Sequence, residues 1–247
     1  MESRLKIILL TLFFSIGLVG NSYAQICNED SNVQKRNGVV FLPNKTKPFS
    51  GQNLCIYDNQ QYKVKGEFTE GLKDGNWTYW AKNGIKKTEE TYRLGNIQTK
   101  TIFSSKHYKK IEKITYSGSS ETLKTTWDYH PNGQLSEEKN FINNMLHGRA
   151  SSWYENGQLY YEFNYKNGLE DGLYFAHFKN GGLMEKADYV IGKLNGGKSI
   201  WNESGQIEGD YKFINDEHVS STIYKYHSNG QLKEVYETEE DDLFEWP

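Results

Sequence analysis

The alternation of apolar and polar residues is clearest in the stretch Gly148–Gly172, where it predicts a β-hairpin. The side chains expected on one side of its second strand are Leu159, Tyr161, Phe163 and Tyr165, and those on the other side are Tyr160, Glu162 and Asn164. A period of two is typical of a strand that buries one face. Asn156-Gly157 before this strand predicts a tight type I′ turn, because both residue types tolerate positive φ. Asn167-Gly168 closes the unit with a second turn.

The same unit recurs about eight times, at spacings of 24 or 25 residues. The residues that anchor its first turns are Asn59, Asn83, His107, Asn132, Asn156, Asn180, Ser204 and Asn229. An aromatic residue precedes each of these turns, at Tyr57, Trp80, Phe103, Tyr129, Tyr154, Phe178, Trp201 and Tyr226. A second aromatic column lies nine residues after the anchor, at Phe68, Tyr92, Tyr116, Phe141, Tyr165, Tyr189 and Phe213. This periodicity predicts an all-β, elongated array of antiparallel hairpins that forms a single open sheet.

The repeats divide the chain into four segments. Residues 48–236 are predicted to form the array, whose third copy, near residues 96–126, is degenerate because it lacks the Asn-Gly turn. Residues 25–47 lead into the array. Residues 237–247 form an acidic tail, and a charge run of this kind is expected to be solvated.

Residues 1–24 have the features of a secretory signal peptide. Arg4 and Lys6 form a basic start, an apolar run follows over Ile7–Gly20, and Ser22-Tyr23-Ala24 offers a cleavage site. A retained membrane anchor is the alternative, but the apolar run is too short to cross a bilayer. We therefore expect an exported protein, located in the periplasm, outside the cell or at the cell surface.

Composition supports strands and export. Aromatic residues make up 15% of the chain, which contains 23 Gly and only 4 Pro, and the formal net charge is −3. Aromatic residues favour strands, and a chain without a basic surface is not expected to bind nucleic acid. The two cysteines, Cys27 and Cys55, can form one intramolecular disulfide in an oxidising compartment, with free thiols as the alternative.

Candidate catalytic and metal-binding residues lack the spacing that such sites need. The six histidines are His107, His130, His147, His177, His218 and His227, and no pair has the spacing of zinc ligands. The adjacent carboxylates Glu137 and Glu138 point to opposite faces of a strand, so they cannot flank one substrate bond. The sequence therefore predicts a protein that is not an enzyme and that holds no metal or cofactor.

The aromatic residues are the candidates for binding. The tryptophans on first strands are Trp77, Trp80, Trp127, Trp153 and Trp201. They can form the seam between hairpins, which we favour because repeat cores must be built from the residues available, or they can stack on sugar rings and anchor partners. Tyr160 lies on the otherwise polar face and is the better candidate for a surface contact. Glutamates interrupt the apolar face at Glu137, Glu185 and Glu234, which predicts a narrow apolar strip with these carboxylates at its border.

Three segments carry a resemblance to a known family. They are Tyr129-His130-Pro131-Asn132-Gly133-Gln134-Leu135, Tyr154-Glu155-Asn156-Gly157-Gln158-Leu159 and Tyr226-His227-Ser228-Asn229-Gly230-Gln231-Leu232. They resemble the MORN-repeat variant, and bacterial proteins built from it are commonly described as YwqK-family antitoxins. The resemblance extends over about residues 48–236. It implies an elongated array of antiparallel β-hairpins whose task is binding rather than catalysis.

These observations lead to one functional expectation with two alternatives. We expect an exported protein-interaction module of the bacterial envelope, with a protein partner, because long repeat arrays present extended surfaces. One alternative is a cell-wall or glycan-binding module that uses the repeat aromatics. The other is an antitoxin or immunity-type protein that neutralises a partner toxin.

Overall fold

The computed structural model describes residues 24–106 and 109–239. Residues 1–23 of the predicted signal peptide, the repeat anchor His107, and residues 240–247 of the expected acidic tail lie outside the described residues. No helix in the described ranges has both the length and the apolarity that a bilayer-spanning segment requires.

The described residues form 20 strands and no helix. Their bounds are β1 (Gln25–Ile26), β2 (Gln34–Arg36), β3 (Val39–Phe41), β4 (Gly51–Ile56), β5 (Tyr62–Thr69), β6 (Leu72–Trp80), β7 (Lys86–Arg93), β8 (Asn96–Phe103), β9 (Lys110–Ser117), β10 (Ser120–Tyr129), β11 (Leu135–Ile142), β12 (Met145–Trp153), β13 (Leu159–Lys166), β14 (Leu169–Glu170), β15 (Gly172–His177), β16 (Leu183–Val190), β17 (Lys193–Trp201), β18 (Ile207–Ile214), β19 (Glu217–Tyr226) and β20 (Leu232–Glu239). The last strand extends to Glu239, three residues into the segment expected to be a tail.

These strands build one open sheet of consecutive hairpins, which confirms the predicted fold class. From β4 to β13 and from β15 to β20 each strand pairs antiparallel with the next, and β14 and β15 both pair with β13. The degenerate third copy keeps this arrangement, because β8 pairs with β9. At the start of the sheet β1 runs parallel to β4, which brings the total to 18 strands, while β2 and β3 form a separate two-stranded sheet.

Large and small side chains face each other across neighbouring strands of this sheet. We call the face that carries Tyr161 and Phe163 the aromatic face, and the opposite one the polar face. Phe163 lies opposite Ala150, and Tyr161 lies opposite Ala176. Both alanines are buried, with exposures of 4% and 0%, because the aromatic rings of adjacent strands cover them. Cross-strand pairs of this kind therefore bury apolar area without a second layer.

A covered hydrophobic core lies at the N-terminal end of the array. The buried residues of this cluster are Val40, Phe49, Cys55, Val64, Phe68 and Trp77. Val40 and Phe49 belong to the segment that precedes the first hairpin, so the expected lead-in is a cap that lies over the first repeats. A disulfide between Cys27 and Cys55 ties this cap to β4.

Trp77 is the largest fully buried side chain of the core. Its exposure is 0%, and its ring contacts Phe68 edge-on at a centroid distance of 5.0 Å. The indole also lies directly over Gly66, where an added Cβ would come within 2.2 Å of the ring. Glycine is therefore required at position 66 for this close approach.

The first turn of the hairpin at Asn156 differs from the predicted type I′ turn. Gly157 has φ 85°, but Asn156 does not adopt positive φ. The Gly157 N–H donates to the Tyr154 carbonyl, and the Tyr154 N–H donates to the Gln158 carbonyl, both at 2.9 Å. This is a type I turn followed by a bulge at glycine, the usual three-residue hairpin loop. The prediction was therefore wrong at Asn156-Gly157, whereas Asn167 and Gly168 both have positive φ, as a type I′ turn requires.

The Asn156 side chain makes one hydrogen bond within its own turn and one to the next turn. Asn156 Oδ1 accepts a hydrogen bond from the Gln158 N–H at 3.1 Å, while Nδ2 donates to the Lys179 carbonyl of the next hairpin at 2.9 Å. The same donation to the next turn is made by Asn59, Asn132 and Asn180. These bonds link successive turns at the strand ends on one side of the sheet. We call this set of asparagines the asparagine ladder.

Replacing Trp77 with alanine should remove the centre of the covered core. We expect Trp77→Ala to lower the free energy of unfolding by about 3–5 kcal/mol, because a fully buried aromatic side chain leaves a large cavity. Trp153→Ala, at a half-buried position, should cost less. Urea denaturation followed by circular dichroism measures both, and equal losses in the two variants would contradict the placement of Trp77.

Removing one asparagine side chain from the ladder should lower the unfolding free energy by less than the loss of Trp77. Asn156→Ala deletes two hydrogen bonds and should lower the unfolding free energy by about 1–2 kcal/mol. The control is Glu155→Ala in the same turn, which keeps both bonds and should change stability by less than about 0.5 kcal/mol. If thermal denaturation shows the same stability for both variants, the ladder does not stabilise the array.

Candidate functional site

Five aromatic side chains meet on the aromatic face of β13, β15 and β16. This set, called the aromatic platform, consists of Tyr161, Phe163, Tyr165, Tyr174 and Tyr189. Phe163 lies at its centre and stacks on Tyr174 with a centroid distance of 4.1 Å and an interplanar angle of 29°. The rings of the other three members lie 5.8–6.0 Å from the Phe163 ring. These are favourable aromatic distances.

Local sequence places these rings on one surface. The alternation in β13 puts Tyr161, Phe163 and Tyr165 on the same face, as predicted. The prediction was wrong for Leu159, because the register shift at Ser152 and Trp153 places it opposite Trp153, on the other face. Tyr174 lies opposite the buried Ala187, so a small residue provides room for its ring. All five platform side chains are half-buried, and the hydrophobic cluster beneath the cap lies among the first repeats instead. The platform is therefore an apolar surface with access to solvent.

Charged pairs flank the platform on both sides. Glu185 forms an ion pair with Lys198 at 2.9 Å, and Glu137 pairs with Lys139 at 2.7 Å. Glu137 lies opposite Ser152, and Glu185 lies opposite Ala176, so both carboxylates lie on the aromatic face. The predicted border of glutamates is therefore present at Glu137 and Glu185, and the paired lysine neutralises the charge of each carboxylate.

Burial raises the pKa values of three platform tyrosines, Tyr165, Tyr174 and Tyr189. Burial, followed by the nearby Glu185 charge, raises the pKa of Tyr174 to about 12. The pKa values of Tyr165 and Tyr189 are also raised, mainly by burial. At neutral pH these phenols are therefore uncharged hydrogen-bond donors beside apolar rings.

A second aromatic cluster surrounds a lysine at the edge of the covered core. The Lys73 ammonium lies 4.5 Å from the Trp77 ring centroid and 4.6 Å from that of Tyr92. It also donates to the Tyr79 hydroxyl at 2.5 Å and lies 3.8 Å from Glu90. Burial lowers the pKa of Lys73, and the charge of Glu90 opposes that shift. Because its own lysine fills this aromatic box, we interpret it as part of the fold.

The tryptophans proposed as binding residues do not form one site. Trp77 is fully buried in the core and has no access to a ligand. Trp80 contacts the Tyr62 ring at 5.7 Å. Trp127 lies on the polar face, where its Nε1–H donates to Glu138 at 2.7 Å. Trp153 and Trp201 are half-buried at the ends of β12 and β17.

Tyr160 is the most accessible of the proposed binding residues. Its side chain is 39% exposed and packs against the Tyr154 ring at 4.7 Å. The prediction that Tyr160 lies on the polar face was wrong, because a register shift between Ser152 and Trp153 makes Tyr160 the extra residue of a bulge. Its ring therefore lies beside that of Tyr161, at 5.2 Å, and extends the platform toward the first turns.

None of the five platform residues was among the predicted binding residues, although Tyr161, Phe163 and Tyr165 were predicted to share a face, and Tyr174 was not singled out at all. Tyr174 belongs to neither aromatic column, so alignment of the repeats does not identify it. A usable signal was the alternation of Gly172, Tyr174 and Ala176, in which one large residue stands between two small ones on the same face.

One group in the described chain brings metal-ligating atoms close together. Cys27, Glu29 and Cys55 have these atoms within 4.8 Å of one another. The two sulfurs are bonded to each other, so they are not available as thiolate ligands.

Similarity to known proteins is restricted to part of the array. The family model for the MORN repeat variant matches residues 128–143 and 146–167, which include β11, β13 and all of β12 except Met145. No curated protein sequence matches the chain. This part of the chain is therefore similar to MORN repeats, in agreement with the resemblance found in the sequence.

Solved structures show only distant similarity. A point mutant of TarM from S. aureus, in complex with fondaparinux, α-GlcNAc-glycerol and UDP, is 18% identical, with a TM-score of 0.26 over 45% of this chain and 21% of TarM. The TcdB2–TccC3 structure is 10% identical, with a TM-score of 0.33 over 79% of this chain and 14% of that one. The chain thus spans about a fifth or less of these structures, and the scores are too low to support an argument.

The raised pKa of Tyr174 predicts how stability depends on pH. Its contribution to folding is complete below the unfolded pKa of about 10 and is lost as pH rises to about 12. Between these values the unfolding free energy should fall, and it should fall less steeply in Tyr174→Phe. Denaturation at stepped pH measures this, and identical slopes for the two proteins would contradict the assignment.

Proposed function

We propose that the protein is an exported, non-enzymatic repeat protein that binds a partner protein in the bacterial envelope through the aromatic platform. The observation that carries the proposal is the contact between five aromatic rings on an open sheet face. Aromatic side chains supply large contact areas at interfaces, and tyrosine adds a hydrogen-bonding group.

The surroundings of the platform favour a protein as the ligand. Protein interfaces combine an apolar, aromatic centre with a polar rim. Phe163 and Tyr174 supply such a centre, while the Glu185–Lys198 and Glu137–Lys139 pairs lie at its borders. The protonated tyrosine hydroxyls can donate hydrogen bonds to backbone carbonyls of a partner.

Two features support export. The N-terminal sequence has the pattern of a signal peptide, and the cap is held by a disulfide. Disulfides persist in oxidising compartments, so the periplasm, the cell surface or the extracellular space are the proposed locations.

Two other kinds of binding partner, a glycan and a toxin, are alternatives within this proposal. Tyr160 is exposed and packs against Tyr154, an arrangement on which a sugar ring of a cell-wall glycan can stack. An exported toxin as the partner would make the protein an immunity-type antitoxin, as the YwqK-family resemblance implies.

Truncation of the platform should abolish binding without unfolding the array. We expect Phe163→Ala and Tyr174→Ala to weaken binding of the partner by about 30-fold or more, as for hot-spot residues. The matched control is Phe175→Ala, because Phe175 lies on the polar face opposite Glu162. The tagged mature protein would be used to isolate envelope proteins, and calorimetry with the purified partner would give the affinities.

The outcomes separate the alternatives. If every captured protein binds the Phe163→Ala and Phe175→Ala variants equally well, the platform is not the binding site. Retention on purified peptidoglycan that is lost in Tyr160→Ala would identify a glycan ligand instead. A captured protein that is toxic when expressed alone and harmless when co-expressed with this chain would identify the immunity role.

A further inference from the structure

The two ends of the sheet differ in how their edge strands are covered. At the N-terminal end, Gln25 and Ile26 pair with Gln52 and Asn53 of β4, and the Gln52 N–H donates to the Ala24 carbonyl. The disulfide between Cys27 and Cys55 secures this segment. Repeat arrays need such caps, because an uncovered end exposes both apolar area and unpaired backbone groups.

The C-terminal end has no comparable cover within the described residues. β20 pairs with β19 along one edge, and no strand from residues 24–106 or 109–239 pairs with its other edge. Leu232, Val235 and Tyr236 are 53%, 43% and 38% exposed. An edge strand of this kind is a template for pairing with another strand.

The sequence of β20 is complementary to itself in one antiparallel register. If a two-fold axis passes between the two copies of Val235, these residues face each other. Lys233 of each copy then faces Glu237 of the other. Opposite charges at facing positions stabilise a strand pair, while like charges destabilise it. Centring the pair on Glu234 would instead place two carboxylates opposite each other.

We propose that β20 pairs antiparallel with β20 of a second copy of this chain, about a two-fold axis at Val235. A contact of this symmetry is isologous and closes after two copies. The axis is perpendicular to the sheet, so the aromatic faces of both copies lie on the same side of one continuous sheet. The dimer then carries two platforms on the same face of one sheet, which increases avidity for a partner that can reach both.

The interface rests on one strand from each copy, so the association is expected to be weak. Stable interfaces bury about 1,200–2,000 Å² in total, more than two edge strands supply. The mass of the wild-type protein in sedimentation equilibrium should therefore rise from one chain toward two as the concentration approaches about 1 mM. If the mass stays that of one chain throughout this concentration range, the proposal is overturned.

Charge reversal tests the pairing of Lys233 with Glu237. Lys233→Glu and Glu237→Lys should each weaken self-association by about tenfold or more, because each places like charges opposite each other twice. An equal mixture of the two variants restores both opposite-charge pairs and should associate at least as well as the wild type. Lys186→Glu on β16 makes the same change of charge away from β20 and should leave association unchanged. Variants that stay unaffected, or a mixture that fails to associate, would contradict the register.

A cysteine probe tests the position of the axis. Val235→Cys should form a disulfide-linked dimer under mild oxidation, because the two copies of residue 235 face each other. Leu232→Cys should link much more slowly, since six residues along the strand separate the two copies by about 20 Å. Equal rates would overturn the axis at Val235. This result is independent of the proposed partner, since no platform residue is changed.

Discussion

The structure depends on the pairing of large aromatic side chains with small residues across neighbouring strands of a single sheet. One hairpin cannot bury an apolar face by itself, and within residues 24–106 and 109–239 no second layer covers the aromatic face around β13. Phe163 covers Ala150, and Tyr161 covers Ala176. Apolar area is therefore buried by side chains of the neighbouring strands in the same sheet. Each hairpin therefore needs its neighbours, as in other repeat proteins.

This constraint explains how the chain treats its two ends. At the N-terminal end a disulfide-anchored cap covers Trp77 and the first repeats, and it forms the hydrophobic core of the described chain. At the other end β20 has the most exposed side chains of the long strands. The asparagine ladder links the turns between these ends, so the array is held by side-chain hydrogen bonds as well as by the sheet.

The candidate site arises from the same pairing. Where several large residues come together on β13, β15 and β16, their rings contact one another and remain half-exposed. Paired charges at Glu185 and Glu137 keep the surrounding surface polar without a net excess of charge. The platform is thus a local enrichment of the contacts that stabilise the fold, placed on a face that a partner can reach.

The sequence by itself determined the hairpin period, the alternation within β13 and the single possible cysteine pairing, because these depend on local spacing and composition. Only the tertiary structure decided that Trp77 is buried, that Asn156 binds the next turn, and that Tyr174 joins the platform. Burial of Trp77 requires the cap, the Asn156 bond needs the Lys179 carbonyl of the next hairpin, and Tyr174 meets Phe163 only because β15 pairs with β13. Each of these results depends on contacts between segments, which local patterns do not contain.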